Sequence, residues 1–325
     1  MITVSVCMIV KNEERVLARC LDSLAGLWEE LIIVDTGSTD GTMEIAQRYT
    51  DQIYTFPWTG SFSDARNFSF SKATCDYIYA ADADEVLEEE NRQKFLMLKE
   101  AMLPEVEIVQ MYYDNQLSQR SIYNFDREYR PKLYKRCRTF LWEEPIHEAV
   151  RLSPVVFDSD IVISHRPQGQ HAGRDLEVFL GMLAKGETLS PRLQRIFLRE
   201  LYFMGEERHL ESAAEYLQQI CDSDTVDDDT FGCGIAILCK KARLQKDHQA
   251  MLKFALKGVA GKGSAELCAE LGLYFYERED YKEAVLWFYN AAYETESLMD
   301  LKASVDIPKK YYEECREKLG FLTER

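Results

Sequence analysis

The sequence has no Cys-x-x-Cys pair, no zinc-ligand spacing, no glycine-rich loop after its first apolar run and no apolar run of membrane-spanning length. Each absence removes a class of protein. The nine cysteines, at 7, 20, 75, 137, 221, 233, 239, 268 and 315, are odd in number and scattered, several of them inside apolar runs. That is the usage of reduced, buried thiols rather than of a disulfide framework. Val10-Lys-Asn-Glu-Glu14 follows the first apolar run without a glycine, which disfavours a nicotinamide-dependent oxidoreductase and the phosphate loop expected of a nucleotidyltransferase. Ile2 to Val10 is too short for a signal peptide or a membrane span and lacks a basic leader, so a cytoplasmic protein is expected. Basic charge is scarce too. The net charge of -17 divides as -10 over residues 1–170 and -7 over 171–325, so neither half reads as a nucleic-acid binder.

What is present suits an ordinary globular protein: 325 residues, 46% hydrophobic and 29% charged, enough for two domains with separate cores. The first half alternates short apolar strands with amphipathic helices. Thr3 to Val10, Glu30 to Asp35, Gln52 to Phe56 and Tyr77 to Ala81 read as strands. Between them Val16, Leu17, Cys20, Leu21 and Leu24 recur at helical spacing, Asp40 caps a helix through Tyr49, and Ser63 to Ala73 is a third helix. Steps of about 25 residues predict a parallel α/β sheet with helices on both faces. In such sheets ligands bind beyond the carboxyl ends of the strands, which is where Asn12, Asp35, Thr36 and Asp82 fall.

Asp82 and Asp84 stand where the strand Tyr77 to Ala81 breaks. Two hard oxygen donors one residue apart suit a magnesium or manganese ion that arrives with a diphosphate, because such ions take only one or two protein carboxylates. The alternative is an acidic first turn, since Asp84, Glu85, Glu88, Glu89 and Glu90 precede a helix over Asn91 to Met102. Glu107 to Tyr113 is a further strand. Arg127, Arg130, Lys132, Lys135, Arg136 and Arg138 then form a basic stretch that reads as strands or a hairpin, serving either an anion or a solvated edge. Asp160 to His165 is the last strand, and Arg166 to Gly173 a linker.

From Asp175 onward only helical spacing is found. Leu271, Gly272, Phe275, Ala284, Phe288 and Ala291 fall at tetratricopeptide spacing, with Cys268 and Glu296 where Trp and Pro are usual. Phe197 to Ile220 is a weaker echo, and an antiparallel helical bundle remains the alternative.

The order of four runs is more specific than any one of them: Val6-Cys-Met-Ile-Val-Lys-Asn-Glu-Glu14, Ile33-Val-Asp-Thr-Gly-Ser-Thr-Asp40, Phe62-Ser-Asp-Ala-Arg-Asn-Phe68 and Asp82-Ala-Asp-Glu85. Together they resemble the inverting family 2 glycosyltransferases. Within these they are similar to the bacterial branch with tetratricopeptide-like helices, which includes bacteriocin S-glycosyltransferases, and to lipopolysaccharide-core glucosyltransferases. The resemblance implies a GT-A type nucleotide-diphospho-sugar transferase sheet domain over residues 1–170 and an all-α tetratricopeptide-like domain over 171–325. It also implies hexosyl transfer from a nucleotide-sugar, UDP-linked by expectation, with manganese or magnesium. Asp35 matches the nucleobase-binding acid, with Val10, Lys11 and Asn12 against base and ribose, and Arg66 matches an arginine that reaches the nucleotide. Asp82 and Asp84 match the metal motif, where Asp82 also meets the nucleotide, and His165 matches a histidine that completes the metal shell. The structural alternatives are a turn cap for Asp35, pairing with Asp64 for Arg66, and a core role for His165.

Inverting transfer also needs a base for the acceptor proton. Trp142-Glu-Glu-Pro-Ile-His-Glu148 supplies Glu148, His147 and Glu144, in that order of preference, with Ile-His-Glu resembling a pair that recurs in the family. A thiol acceptor would need less help. The helical half would receive a peptide, protein or glycan acceptor, or a second copy of the chain. Two rival readings are a helical-repeat interaction protein whose sheet domain binds nucleotide without turnover, and a nucleotidyltransferase.

Overall fold

The computed structural model describes residues 1–115, 127–138, 142–147, 149–150, 154–166, 174–223, 225–299 and 305–320. The chain divides into two compact units, Met1–Gln170 and His171–Arg325.

The first unit runs β1 (Val4–Val10), α1 (Leu17–Leu24), β2 (Glu30–Asp35), α2 (Thr42–Ala46), β3 (Ile53–Thr55), α3 (Phe62–Phe70) and β4 (Tyr77–Ala81). It continues through β5 (Glu85–Val86), α4 (Glu89–Ala101), β6 (Ile108–Asn115), β7 (Arg127–Lys135), β8 (Trp142–Glu143), β9 (Ala149–Val150) and β10 (Val156–His165). Eight strands form one sheet in the order β3-β2-β1-β4-β7-β6-β10-β5, while β8 and β9 make a separate small ladder.

The expected wholly parallel sheet is corrected here. β3, β2, β1 and β4 are parallel, but β7 is antiparallel to both β4 and β6, and β5 is antiparallel to β10. The basic stretch is a strand as far as Lys135, as expected, and antiparallel to its chain neighbour β6, but it is not a solvated edge, because β7 is interior to the sheet. The helix expected to run through Tyr49 ends as α2 at Ala46, and its N-cap is Gly41 rather than Asp40. Asp40 instead accepts from the Thr42 N–H at 3.1 Å.

Strand alternation divides the side chains between two cores. On one face Val6 and Met8 of β1 and Tyr77 and Tyr79 of β4 pack with Leu17 and Leu21 of α1 and Phe95 of α4. On the other, Cys7, Ile32, Val34, Ile78 and Ala80 pack with Phe70 of α3. Five consecutive buried residues in β4 follow from this double covering, each large apolar side chain contributing about 1.5–3 kcal/mol. The apolar run stops at Ala81, and the polar residues beyond it emerge at the carboxyl edge of the sheet.

The second unit is helical: α5 (Arg174–Ala184), α6 (Pro191–Met204), α7 (Glu207–Ser212), α8 (Ala214–Asp222), α9 (Asp228–Leu244), α10 (His248–Val259), α11 (Ala265–Tyr276) and α12 (Tyr281–Tyr289). A π-helical turn over Asn290–Glu294 and α13 (Asp306–Lys318) follow. Side-chain caps define the starts. Ser190, Asp227, Asp247, Ser264 and Asp280 each accept the backbone N–H three residues on, and Pro191 opens α6. In the α11–α12 pair Gly272 lies under Phe288, where a Cβ would come within 2.6 Å of the ring. Ala284, Phe288 and Ala291 are fully buried around that approach. The Phe197 to Ile220 echo differs from a two-helix repeat, because its second helix is broken at Ala213 into α7 and α8.

Candidate active site

The carboxyl ends of β1, β2 and β4 lie side by side, since Val10 pairs with Asp35 and Met8 with Ala81. At the β2 end Asp35 is 5% exposed and accepts the N–H groups of Gly37 and Ser38, both at 3.1 Å. This is the turn-capping role, and it leaves part of the carboxylate's acceptor capacity unused. Asn12 has φ of 58° and ties the β1 end to the same turn: its side-chain oxygen accepts the Thr39 N–H at 2.8 Å, and its own N–H donates to Ser38 Oγ at 3.0 Å. The Val10 carbonyl accepts both the N–H and the hydroxyl of Thr36, at 3.0 and 3.2 Å. Lys11 projects into solvent.

Beyond β4 the chain turns sharply, with the Glu85 N–H on the Asp82 carbonyl at 3.1 Å, and re-enters the sheet as β5. That short strand pairs with the end of β10, setting Glu85 opposite His165. His165 Nε2 consequently lies 2.9 Å from Asp84 Oδ2, and the Arg166 N–H donates to the Asp84 carbonyl at 2.9 Å. The sequence nominated Asp82 and Asp84 as a pair with His165 to complete their metal shell, and the fold sets His165, at the end of β10, beside Asp84.

Arg66 reaches the same place from α3. Its Nη2 is 3.5 Å from Asp82 Oδ1, and its guanidinium lies over the Trp142 ring, 4.7 Å from the centroid. On the other side Lys132 Nζ donates to Asp82 Oδ2 at 3.1 Å, to the Ala80 carbonyl at 3.3 Å and to Glu85 Oε1. The backbone N–H of Asp82 donates to the other Glu85 oxygen at 3.2 Å. Burial alone would raise the Asp82 carboxyl, but Lys132 and Arg66 outweigh it and hold Asp82 far below the usual carboxylate range. Glu85 goes the other way. Burial, reinforced by Asp82 and Asp84, pushes it up to about 7 against the pull of Lys132. Burial would likewise lower Lys132, yet Asp82 and Glu85 raise it, so it stays an ammonium.

Glu85 and Lys132 were not named as site residues from the sequence. Glu85 had a signal, being the last residue of the Asp-Ala-Asp-Glu run. The remaining members of the basic stretch disperse to structural acceptors: Arg130 lies over Tyr113 at 3.9 Å and pairs with Glu128, Arg136 donates to the Cys75 carbonyl at 2.6 Å, and Arg138 pairs with Glu107 at 2.6 Å.

Glu144 and His147 lie between the strands of the β8–β9 ladder, in which Trp142 pairs with Val150 and Glu143 with Ala149. Glu144 and His147 have φ of 69° and 48°, a left-handed conformation uncommon outside glycine and concentrated at functional turns. The ladder is fastened to α3. Asn67 exchanges bonds with the Trp142 backbone at 2.8 and 2.9 Å, and the Phe62 N–H donates to the Pro145 carbonyl at 2.7 Å. Glu148, the first of the base candidates, lies outside the described residues.

The fold is thus an α/β domain with a mixed sheet, and its carboxylates and cations cluster at the carboxyl edge, where ligands of open α/β sheets bind. Residues 5–150 match the family model for glycosyl transferase family 2, and a helical region follows that stretch. Over 87 residues it is 45% identical to a TPR repeat-containing protein of Synechococcus elongatus, covering 27% of this chain and 22% of that one. Over 94 residues it is 36% identical to the SPbeta prophage-derived glycosyltransferase SunS of Bacillus subtilis, covering 28% of this chain and 22% of that protein. The matches thus span about a fifth of the length of these relatives. Among solved structures, glucosyl-3-phosphoglycerate synthase from Mycobacterium tuberculosis in complex with Mn2+, uridine diphosphate and phosphoglyceric acid is similar, with a TM-score of 0.43 and 19% identity, covering 58% of this chain and 80% of that one. Among the described residues, no helix is long and apolar enough to cross a membrane.

Proposed function

We propose that the protein is a metal-dependent inverting glycosyltransferase, moving a hexosyl group from a nucleoside diphosphate, UDP by preference, to a peptide, protein or glycan acceptor in the cytoplasm. The observation that carries this reading is the turn after β4, where Asp82 and Asp84 share one edge with His165, Arg66 and Lys132. Two carboxylates and an imidazole are a donor set that fits manganese or magnesium, and Asp84 and His165, already 2.9 Å apart, are the residues to hold it with Asp82. When bound, the ion supplies charge neutralisation of the departing diphosphate.

The chain's own groups do the rest. Asp35 keeps acceptor capacity for a nucleobase N–H at the β2 end, beside the exposed Lys11. Arg66, over Trp142 and beside Asp82, is placed to meet the diphosphate. The acceptor base is one of Glu148, His147 and Glu144, and the left-handed backbone of Glu144 and His147 takes those two out of ordinary strand geometry. The helical region, read as a tetratricopeptide-like array on the strength of the Gly272–Phe288 approach, presents the acceptor or a second copy of the chain.

The test is nucleotide release from a panel of nucleotide-sugars with added manganese or magnesium, repeated with Asp84→Ala. Metal-dependent release that the substitution abolishes supports the proposal. No release from any donor, or an equally active variant, overturns it.

A further inference from the structure

We propose that Lys132 is a positioning residue of this site, fixing Asp82 and Glu85 in the arrangement that receives the metal-bound diphosphate; the inference rests on the proposed function of the same turn. Three observations lead to it. First, β7 departs from regular pairing at this residue. Val109 pairs with Leu133 while Gln110 pairs with Pro131, so Lys132 is the extra residue of a β-bulge. Bulges beside active sites re-aim one side chain, and Pro131, lacking an N–H, suits the interruption. Second, Lys132 is 4% exposed, a rare state for a lysine unless it is paired. Third, its ammonium has three N–H donors and three acceptors within reach: the Ala80 carbonyl, Asp82 and Glu85.

The third point separates two roles. A lysine that clamps a diphosphate keeps donors for it, whereas Lys132 has committed its donors to the last turn of β4 and the residues after it. It therefore acts through Asp82. Glu85 closes the arrangement, because its second oxygen accepts the Asp82 N–H, so the Asp82 backbone and side chain are fixed by one ion pair. Without Lys132, Glu85 would be left buried without its cation, and Asp82 would keep only Arg66 of its two cationic partners.

The experiment uses the full chain, with Mn2+ and uridine diphosphate as probes and ligand-free melting as a separate measurement. Lys132→Met is expected to melt well below wild type, because Glu85 is left buried without its cation. Lys132→Met/Glu85→Gln, which removes both charges at similar volume, is expected to melt close to wild type yet bind Mn2+ with uridine diphosphate about 10- to 100-fold more weakly, the size typical of a lost outer-shell partner. Glu85→Gln alone keeps the ammonium on Asp82 and is expected to lose less than about threefold. The proposal is overturned by a double variant that binds the probes as tightly as wild type, by one that fails to fold, or by a Glu85→Gln loss as large as the double variant's. Wild type that binds neither probe overturns the proposed function together with this inference. Wild-type binding that the double variant preserves removes only the role of Lys132.

Discussion

Both units bury carboxylates beside cations, and they differ in what is left over. In the helical unit Glu270 is 3% exposed and lies 2.8 Å from Arg243 Nε, while Arg243 also meets Glu277 at 2.5 Å. Glu266 is fully buried and accepts from the Ser297 hydroxyl and from the N–H groups of Leu298 and Met299, at 2.6 to 3.0 Å. These carboxylates serve the fold, joining one helix to the next segment. At the sheet edge Asp82, Asp84 and Glu85 crowd one turn, and the Asp82 and Asp84 side chains keep 38% and 18% exposure. A buried ion pair is thus no mark of function by itself; a charged cluster that stays open on one side is the better sign.

The sharpest way to break this comparison is to remove one carboxylate from each set. Asp84→Ala should lower metal-dependent nucleotide release by at least about a thousandfold, a loss of several kcal/mol of charge stabilisation, with little change in ligand-free melting. Glu270→Ala should do the reverse. It leaves Arg243 with Glu277 as its remaining carboxylate partner and should cost about 1.5–3 kcal/mol in chemical denaturation, while release per folded molecule is unchanged. If Glu270→Ala lowers release as Asp84→Ala does, the division between structural and functional carboxylates is wrong.

A smaller effect is expected at Gly272. Gly272→Val drives methyl groups into the Phe288 ring and should cost about 1–3 kcal/mol by overpacking, seen as a lower melting temperature. Ser264→Ala removes the side-chain acceptor for the Leu267 N–H at the start of α11 and should cost about 1 kcal/mol.

The smallest predicted effect is a pH dependence with one contributor in each unit. Hydrogen bonds from the N–H and hydroxyl of Thr230 lower Asp227, and those of Thr3 lower Asp76. Each native value lies below the unfolded one, so the stabilisation is complete above about pH 4 and fades as pH falls through the native value. Asp227→Asn and Asp76→Asn should therefore be less stable than wild type at pH 6 and converge on it in acid. Equal differences at both pH values would remove the electrostatic account.

Much of this protein was legible from local pattern. Continuous apolar runs gave β1, β2 and β4 almost to the residue, because strands covered on both faces have no polar side to blur the signal. Asp82 and Asp84 could be picked out for a related reason: carboxylates directly after such a run have to leave the core. The interior course of β7 was not legible. Six cations in twelve residues suggest solvent, and only pairing with β4 and β6 on either side makes that strand central. His165 was visible as a candidate, but its contact with Asp84 depends on the two-residue β5, too short for any periodicity. Glu144 and His147 could be named by type, whereas their left-handed backbone is a product of the ladder that brackets them.

By itself, the sequence determined the division into a strand-and-helix half and a helical half, the carboxylate pair at the end of β4, and the family resemblance. These depend on contacts close along the chain, or on the order of motifs. Only the tertiary structure decided which charges meet. Lys132, fifty residues from Asp82, is aimed at it by a one-residue bulge in β7. Side-chain alternation has a period of two, so one extra residue sends a lysine from the surface into the core, and a register shift of that kind is set by the neighbouring strand.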